Sequence, residues 1–365
     1  MHIEEFTIGQ LGEFITSQRF NQQNVLPITV HRAISQTKNP RAHPEDVVLI
    51  VAFDETDQIV AYVGALPDLI NSNCRVVWNS CWYADTTIHK TIALPLLIAF
   101  IKKWHGRILM QDLTEHTRKI IKKLPYFSFI RQMDGTRIFL RFYFSDILCN
   151  KYPFLEKCRF ILEFMDSVFN SFISVCLFFR KFSHPLPHDI RIEEVNQIDI
   201  QTQRFIEENN SNELCRRGKP EFDWICENPW IIRKTIENAD LLDRYQFSSL
   251  AESFSYRKLK IMRGPDLISF YILKERNKHF EVPYMYCINE DLANSIKVVT
   301  QYLIEQKARS FTYFNSRLGQ FIFNQGIPVI YKKKLQRELV VSKELVTSIS
   351  HSAEIQDGDG DTIFT

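Results

Sequence analysis

The stretch Cys81-Trp82-Tyr83-Ala84-Asp85-Thr86-Thr87-Ile88-His89-Lys90-Thr91-Ile92-Ala93 holds the residues of this 365-residue chain best placed to do chemistry. A β-prone run over 75–83 passes through a polar loop into residues 90–103, which are apolar at helical spacing. A helix that opens on such a loop presents free backbone N–H groups and the positive end of its dipole, a setting that suits an anion. Lys90 adds a basic side chain there, and His89 adds to it when protonated. In the second half Ile288-Asn289-Glu290-Asp291 joins strand to helix more tightly, and its two carboxylates repel an anion.

Other reactive constellations are weak. There is no GxSxG nucleophile elbow, no GxxxxGK[ST] phosphate loop and no HExxH metal pair. The eight cysteines show neither CxxC nor zinc-ligand spacing, which fits buried thiols in a reducing cytosol. His184 and His188 are four apart, but Pro185 and Pro187 keep them off a helix. Asp357-Gly358-Asp359-Gly360-Asp361 begins like a calcium loop, yet Thr362 stands where that loop needs glycine, so no metal site is expected. Lys332-Lys333-Lys334 with Arg337 reads either as a solvated edge or as a contact for an anionic substrate. Residues 218–230 mix aromatics with carboxylates. Either Trp224 and Trp230 pack on the C-terminal sheet, or Glu221 or Asp223 belongs to a substrate wall.

The elements that must position these residues follow from patterning. The first 20 residues read as an amphipathic helix. Runs 47–53 and 59–64 are β-prone and separated by Asp54-Glu55-Thr56-Asp57, which predicts a hairpin. Strand 107–110, a Thr-capped helix over 114–124 and a second hairpin over 127–144, turning at Asp134-Gly135, follow the 90–103 helix. The second half repeats the order: strands 254–262, 267–273 and 280–288, helix 292–306, strand 310–313, helix 317–324 and strand 328–341. The offset is about 200 residues. Between the halves, 146–182 is helical and heavily aromatic, and its aromatics predict packing against the domains; the rival is an interfacial membrane helix. Expected boundaries are a first domain over 1–145, a helical linker over 146–188, a second domain over 189–349 and a polar, disordered tail over 350–365.

The 81–93 stretch resembles the GNAT acyltransferases, in which a strand runs into Arg/Gln-x-x-Gly-x-Gly/Ala at the start of a crossover helix. Here Ile88 holds the first position of that pattern, Thr91 the first glycine position, and Ala93 the last. Asn315, Gly319, Phe323, Gly326 and Ile327 fall in the register of a second GNAT segment, with Phe323 where the family often has a proton-donating Tyr. In the first half the same register reads Thr114, Arg118, Lys122, Pro125, Tyr126. The resemblance spans 28–144 and 189–345 and is carried more by element order than by motif. It looks like the tandem GNAT proteins, a group that includes the Fem-type transferases.

That resemblance implies an α/β protein of two GNAT-like mixed-sheet domains related by internal duplication and joined by a helical, aromatic-rich segment. It implies acyl-CoA-dependent N-acylation of an amine, on a sugar or cell-surface precursor. Acetyl-CoA or another acyl-CoA would bind at Tyr83, His89, Lys90, Thr91, Ile92 and Ala93, with the loop cradling its pyrophosphate. No residue stands out as catalytic. The alternative is a non-catalytic GNAT-fold scaffold, which Thr91 and Phe323 favour. A net charge of +2 steers the chain toward neither DNA nor tRNA, and the partners expected are a small molecule or glycan precursor. The N-terminus lacks the apolar core of a signal peptide, so a cytoplasmic protein is expected, with residues 154–181 as its candidate peripheral membrane contact.

Overall fold

The computed structural model describes residues 1–85, 91–183, 188–315, 318 and 329–365. The chain opens with β1 (His2–Thr7), α1 (Leu11–Thr16), α2 (Gln18–Asn21) and α3 (Val30–Thr37). Strands β2 (Val47–Phe53), β3 (Ile59–Ile70) and β4 (Cys74–Ala84) follow, then α4 (Ala93–Lys103), β5 (Ile108–Met110), α5 (Glu115–Ile121) and β6 (Phe127–Phe139). Helices α6 (Phe144–Lys151) and α7 (Arg159–Ser183) fill the middle. The second half begins with β7 (Ile190–Val195), α8 (Ile200–Asn209), α9 (Lys219–Glu227), β8 (Ile232–Arg233), α10 (Leu241–Arg244) and β9 (Leu250–Ala251). It continues through β10 (Phe254–Arg263), β11 (Asp266–Arg276), β12 (His279–Cys287), α11 (Leu292–Glu305), β13 (Ser310–Tyr313) and β14 (Tyr331–Ser342).

Contacts divide the chain into two units, and neither is a single block of sequence. The first holds 1–133, 197–255 and 337–365; the second holds 134–196 and 256–336. Residues 197–255 and the tail, expected beyond the first domain, therefore pack within it. In the first unit the strand order is β1-β2-β3-β4-β5-β14, and in the second it is β7-β10-β11-β12-β13-β6. The two orders correspond position by position. β4 and β5 are parallel, as are β12 and β13, and a helix (α4 or α11) connects each pair. The sixth strand of each unit comes from the other half of the sequence. Val340 and Val341 of β14 pair with Met110 and Leu109, while Thr136–Phe139 of β6 pair with β13.

Each core follows from patterning. All seven residues of β2 are buried, as a strand covered on both faces requires. Leu96, Leu97, Phe100 and Ile101 of α4 pack on that sheet, and Ile296, Val299 and Leu303 of α11 pack on the second. The 54–57 turn forms because the Asp54 carboxylate accepts from the backbone N–H of Thr56 (2.8 Å) and Gln58 (2.9 Å).

Four expectations are corrected. The first 20 residues begin with a strand, not a helix, because β1 pairs with the edge of β2, His2 opposite Phe53. The hairpin at Asp134-Gly135 does not form, and β6 runs through it. A Cβ on Gly135 would lie 2.6 Å from the Phe314 ring, so this glycine serves close approach, not a turn. The 350–365 tail packs into the first unit, with 358–360 and 362–364 buried. Gly360 (φ +73°) lies flat on Trp78, Phe364 stacks on Trp230 at 4.3 Å, and Ile363 is wholly buried. Its polar composition hid two apolar anchors. Trp224 and Trp230 accordingly pack in the first unit, on Phe364, instead of on the C-terminal sheet.

Candidate active site

The first unit opens where β4 and β5 part. They pair only at Val77–Ile108 and Trp78–Leu109, and β4 then continues to Ala84 while β5 ends at Met110. Among the described residues no strand covers the free edge of β4 beyond Trp78. Next to that edge β4 bulges: Gly64 faces Cys81 and Ala65 faces Asn79, leaving Ser80 as the extra residue.

A cavity of about 780 Å³ lies on one side of the opening, lined by Tyr83, Thr91, Ala93, Leu94, Pro95 and His116 among others. Three sequence-predicted residues, Tyr83, Thr91 and Ala93, thus come together there. Ile92 is buried in the core instead. His89 and Lys90 lie outside the described residues, as do Ile88 and most of the 315–327 register, Phe323 included. Among the described residues the first turn of α4 carries no acidic residue and no side-chain cap, which leaves the N–H groups of Ala93 and Leu94 to an anion, Pro95 having none. The corresponding end of α11 differs: Asp291 is buried there and bonds Arg263 at 2.5 Å. Only four residues join β12 to that helix, against eight between β4 and α4.

A second cavity of about 260 Å³ lies across Trp82 and Thr117, which line both. It is polar. Arg32, itself buried, donates to the hydroxyls of Tyr245 (2.6 Å) and Ser80 (2.5 Å), and its guanidinium lies 4.0 Å from the Trp230 ring centre. Asp361 faces the same cavity. Among the described residues neither the Gln111 amide nor the Trp82 indole N–H has a partner, and both belong to residues of its wall. Buried polar groups left open in this way are what a polar ligand would satisfy.

The tail supplies the charge. Asp357 pairs with Arg337, Asp359 lies 3.7 Å from Arg217, and Asp361 feels the field of Arg32. Burial pushes the Asp359 and Asp361 carboxyls up to about 7, with Arg217 and Arg32 respectively opposing that rise. Sequence reading assigned no role to these aspartates; the alternation of acid and glycine, so near three separated arginines in the fold, was the only signal. The rest of the 218–230 segment is structural: Glu221 bonds Arg41 (2.9 Å) and Asp223 bonds Lys219 (2.5 Å). Lys332–Lys334 are exposed, whereas Arg337 is buried against Asp112 at 2.7 Å.

A raised carboxyl pKa has a stability consequence. The folded chain holds these protons up to about pH 7 and the unfolded chain only to about pH 4, so both groups oppose folding progressively across that window. Asp359→Asn is therefore expected to raise the melting temperature at pH 8, with the gain fading by pH 5. Arg217 keeps its bond to Asp68 (2.7 Å) in that variant. A lower melting temperature at pH 8 would contradict this balance.

A mixed sheet parted at two parallel strands, with a helix N-terminus at the opening, defines a GNAT-like fold. No protein-family model matches the sequence, and no curated protein matches it. Among solved structures, a conserved Enterococcus faecalis protein of unknown function, a probable N-acyltransferase, is similar over 95% of this chain and 73% of its own, at 11% identity and TM-score 0.51. A Saccharomyces cerevisiae N-myristoyltransferase with bound myristoyl-CoA (11% identity, 94% of this chain, 79% of that one) scores 0.49. A GCN5-related N-acetyltransferase from Anabaena variabilis (10% identity, 93% of this chain, 72% of that one) scores 0.46. At such identities the first likeness establishes the shared fold and no more.

Proposed function

We propose that this chain is an acyl-CoA-dependent N-acyltransferase whose site lies in the first unit. One observation carries the reading: a helix N-terminus at the 780 Å³ cavity adjoins, across Trp82 and Thr117, a second cavity whose wall holds Asp361 and Arg32. The donor's phosphates would meet the first turn of α4 and Lys90, and its acyl group the free edge of β4. The acceptor amine would enter the polar cavity. As the amine nitrogen bonds to the thioester carbonyl carbon, Asp361 takes one proton from it and β4 N–H groups take up the charge growing on oxygen. The C–S bond breaks, the amide nitrogen keeps its remaining proton, and the proton taken by Asp361 passes on to the departing thiolate. An acceptor of sugar or cell-surface-precursor type fits a wall of Arg32, Ser80, Gln111 and Asp361, all able to bond hydroxyls. We read the second unit as a duplicate that keeps the fold, in the manner of Fem-type proteins; matching strand orders support this, and Asp291 at the start of α11 argues that it takes no acyl-CoA.

Lys90→Glu tests the donor site. Reversing one charge beside a phosphate is expected to weaken acetyl-CoA binding roughly tenfold by calorimetry. Glu290→Gln should leave affinity unchanged. Equal affinity in Lys90→Glu and parent would remove the donor site from this loop, and a parent without affinity would favour a non-catalytic scaffold.

A further inference from the structure

Helix α7 is amphipathic in the inverse sense. Its polar side chains face its own unit: Asp166 accepts from the backbone N–H of Phe144 (2.7 Å) and Ser145 (2.9 Å), Asn170 bonds both N–H and C=O of Phe142 (2.8 Å each), and Ser174 accepts from Arg141 (3.1 Å). These positions, four apart, form one stripe. The opposite arc carries Phe160, Phe164, Val168, Phe172 and Val175. The three phenylalanines are 68–69% exposed. The span Pro153–Leu177 is long and apolar enough to cross a membrane by length and composition, and its apolar stretch is mostly unburied. Phe160, Phe164 and Phe172, expected to pack against the domains, therefore do not bury, whereas Phe169 lies 5.1 Å from the Phe142 ring.

A soluble helix turns its apolar arc inward, because leaving one such side chain in water forgoes its burial. Here the hydrogen-bonding arc is spent on attachment and the apolar arc is presented outward. We infer that α7 lies on the surface of an anionic lipid bilayer, its phenylalanines entering the acyl-chain boundary. The chain enters α6 and α7 from β6 and leaves into β7, strands of one sheet, so it returns to the side it came from. With α7 bonded side-on to residues 141–145, it meets the bilayer lying flat instead of crossing it. Charge points to the lipid class. Lys151, at the end of α6, and Lys157 are exposed before its N-terminal end, where Arg159 and Arg309 offset the carboxylates of Asp146, Glu156 and Glu163 and, with the two lysines, leave the cations in excess; Arg180 and Lys181 follow the apolar run in sequence. Glu163 sits on the polar arc beside Arg159 (3.9 Å). This surface is independent of acyl transfer.

The full chain is mixed with vesicles of phosphatidylcholine containing phosphatidylserine, or of phosphatidylcholine alone, and sedimented. Binding is expected to the anionic vesicles, weaker to the neutral ones, and reduced by salt. A triple Phe160→Ser, Phe164→Ser, Phe172→Ser variant alters exposed positions, should keep the parent's circular dichroism, and is expected to lose vesicle affinity by more than roughly tenfold. A parent that stays in solution, or a folded variant that still sediments, would overturn the proposal. So would a parent that forms dimers which the variant abolishes, for then a second copy covers this face.

Discussion

Replacing Asp361 by Asn is expected to lower kcat/KM by roughly 10²–10³-fold while leaving acetyl-CoA affinity intact. The carboxylate faces the polar cavity, away from the helix N-terminus that would hold the donor. Asn keeps its shape, and Arg32 retains the Tyr245 and Ser80 hydroxyls, so the fold should persist. A pH profile separates catalysis from structure. Arg32, Asp112 and Arg337 are the charges that act on Asp361; burial raises its pKa to about 7 and Arg32 opposes the rise. With a fixed acceptor, thiol release by the parent should increase through pH 7 as Asp361 loses its proton, and the variant should lack that increase. Thiol release from acetyl-CoA with glucosamine as acceptor follows both. A variant that keeps the parent's rate and profile would take Asp361 out of the chemistry.

The second large effect is on stability. Asp68, buried in the first unit, accepts from Arg41 (2.6 Å), Arg217 (2.7 Å), the Trp78 indole N–H (2.9 Å) and the backbone N–H of Leu69 (2.8 Å). Burial alone would raise its pKa, but Arg217 and Arg41 outweigh burial and hold the carboxyl below its usual range. Asp68→Ala leaves two buried guanidinium groups short of their counter-charge, which costs about 3–5 kcal/mol. Arg41 keeps Glu221 and Arg217 keeps the more distant Asp359, so Asp68→Asn, which retains the shape, should cost less than Ala. Because the folded pKa is depressed, this contribution is present above the unfolded value near 4 and is lost as pH falls through the folded one. Urea unfolding at pH 7 and pH 3 reads both; equal midpoints for parent and Ala variant at pH 7 would contradict the network.

Local signals were the legible ones. The β-branched runs of β2 and β3, the Asp54 turn and the helical spacing of α4 each declare themselves within a dozen residues, and so did the strand-loop-helix that carries Tyr83, Thr91 and Ala93. Pairing between distant segments was not legible. Nothing in 337–342 says that it completes the first sheet, or in 134–139 that it completes the second, because a strand's partner is set by which edge stands open. Gly135 reads as a turn residue until Phe314 is seen against it. The polar half of the site was hidden for the same reason: Arg32, Ser80, Gln111 and Asp361 meet only after the tail folds back over Trp78 and Trp230.

Titration of acetyl-CoA into the full chain by calorimetry addresses the donor site directly. One molecule should bind per chain, since α4 offers an open N-terminus at a cavity while α11 carries Asp291 at its own. A Thr91→Asp variant, which places a carboxylate at that cavity, should abolish the heat. Two molecules per chain, or one molecule bound equally well by Thr91→Asp, would contradict a donor site at the start of α4.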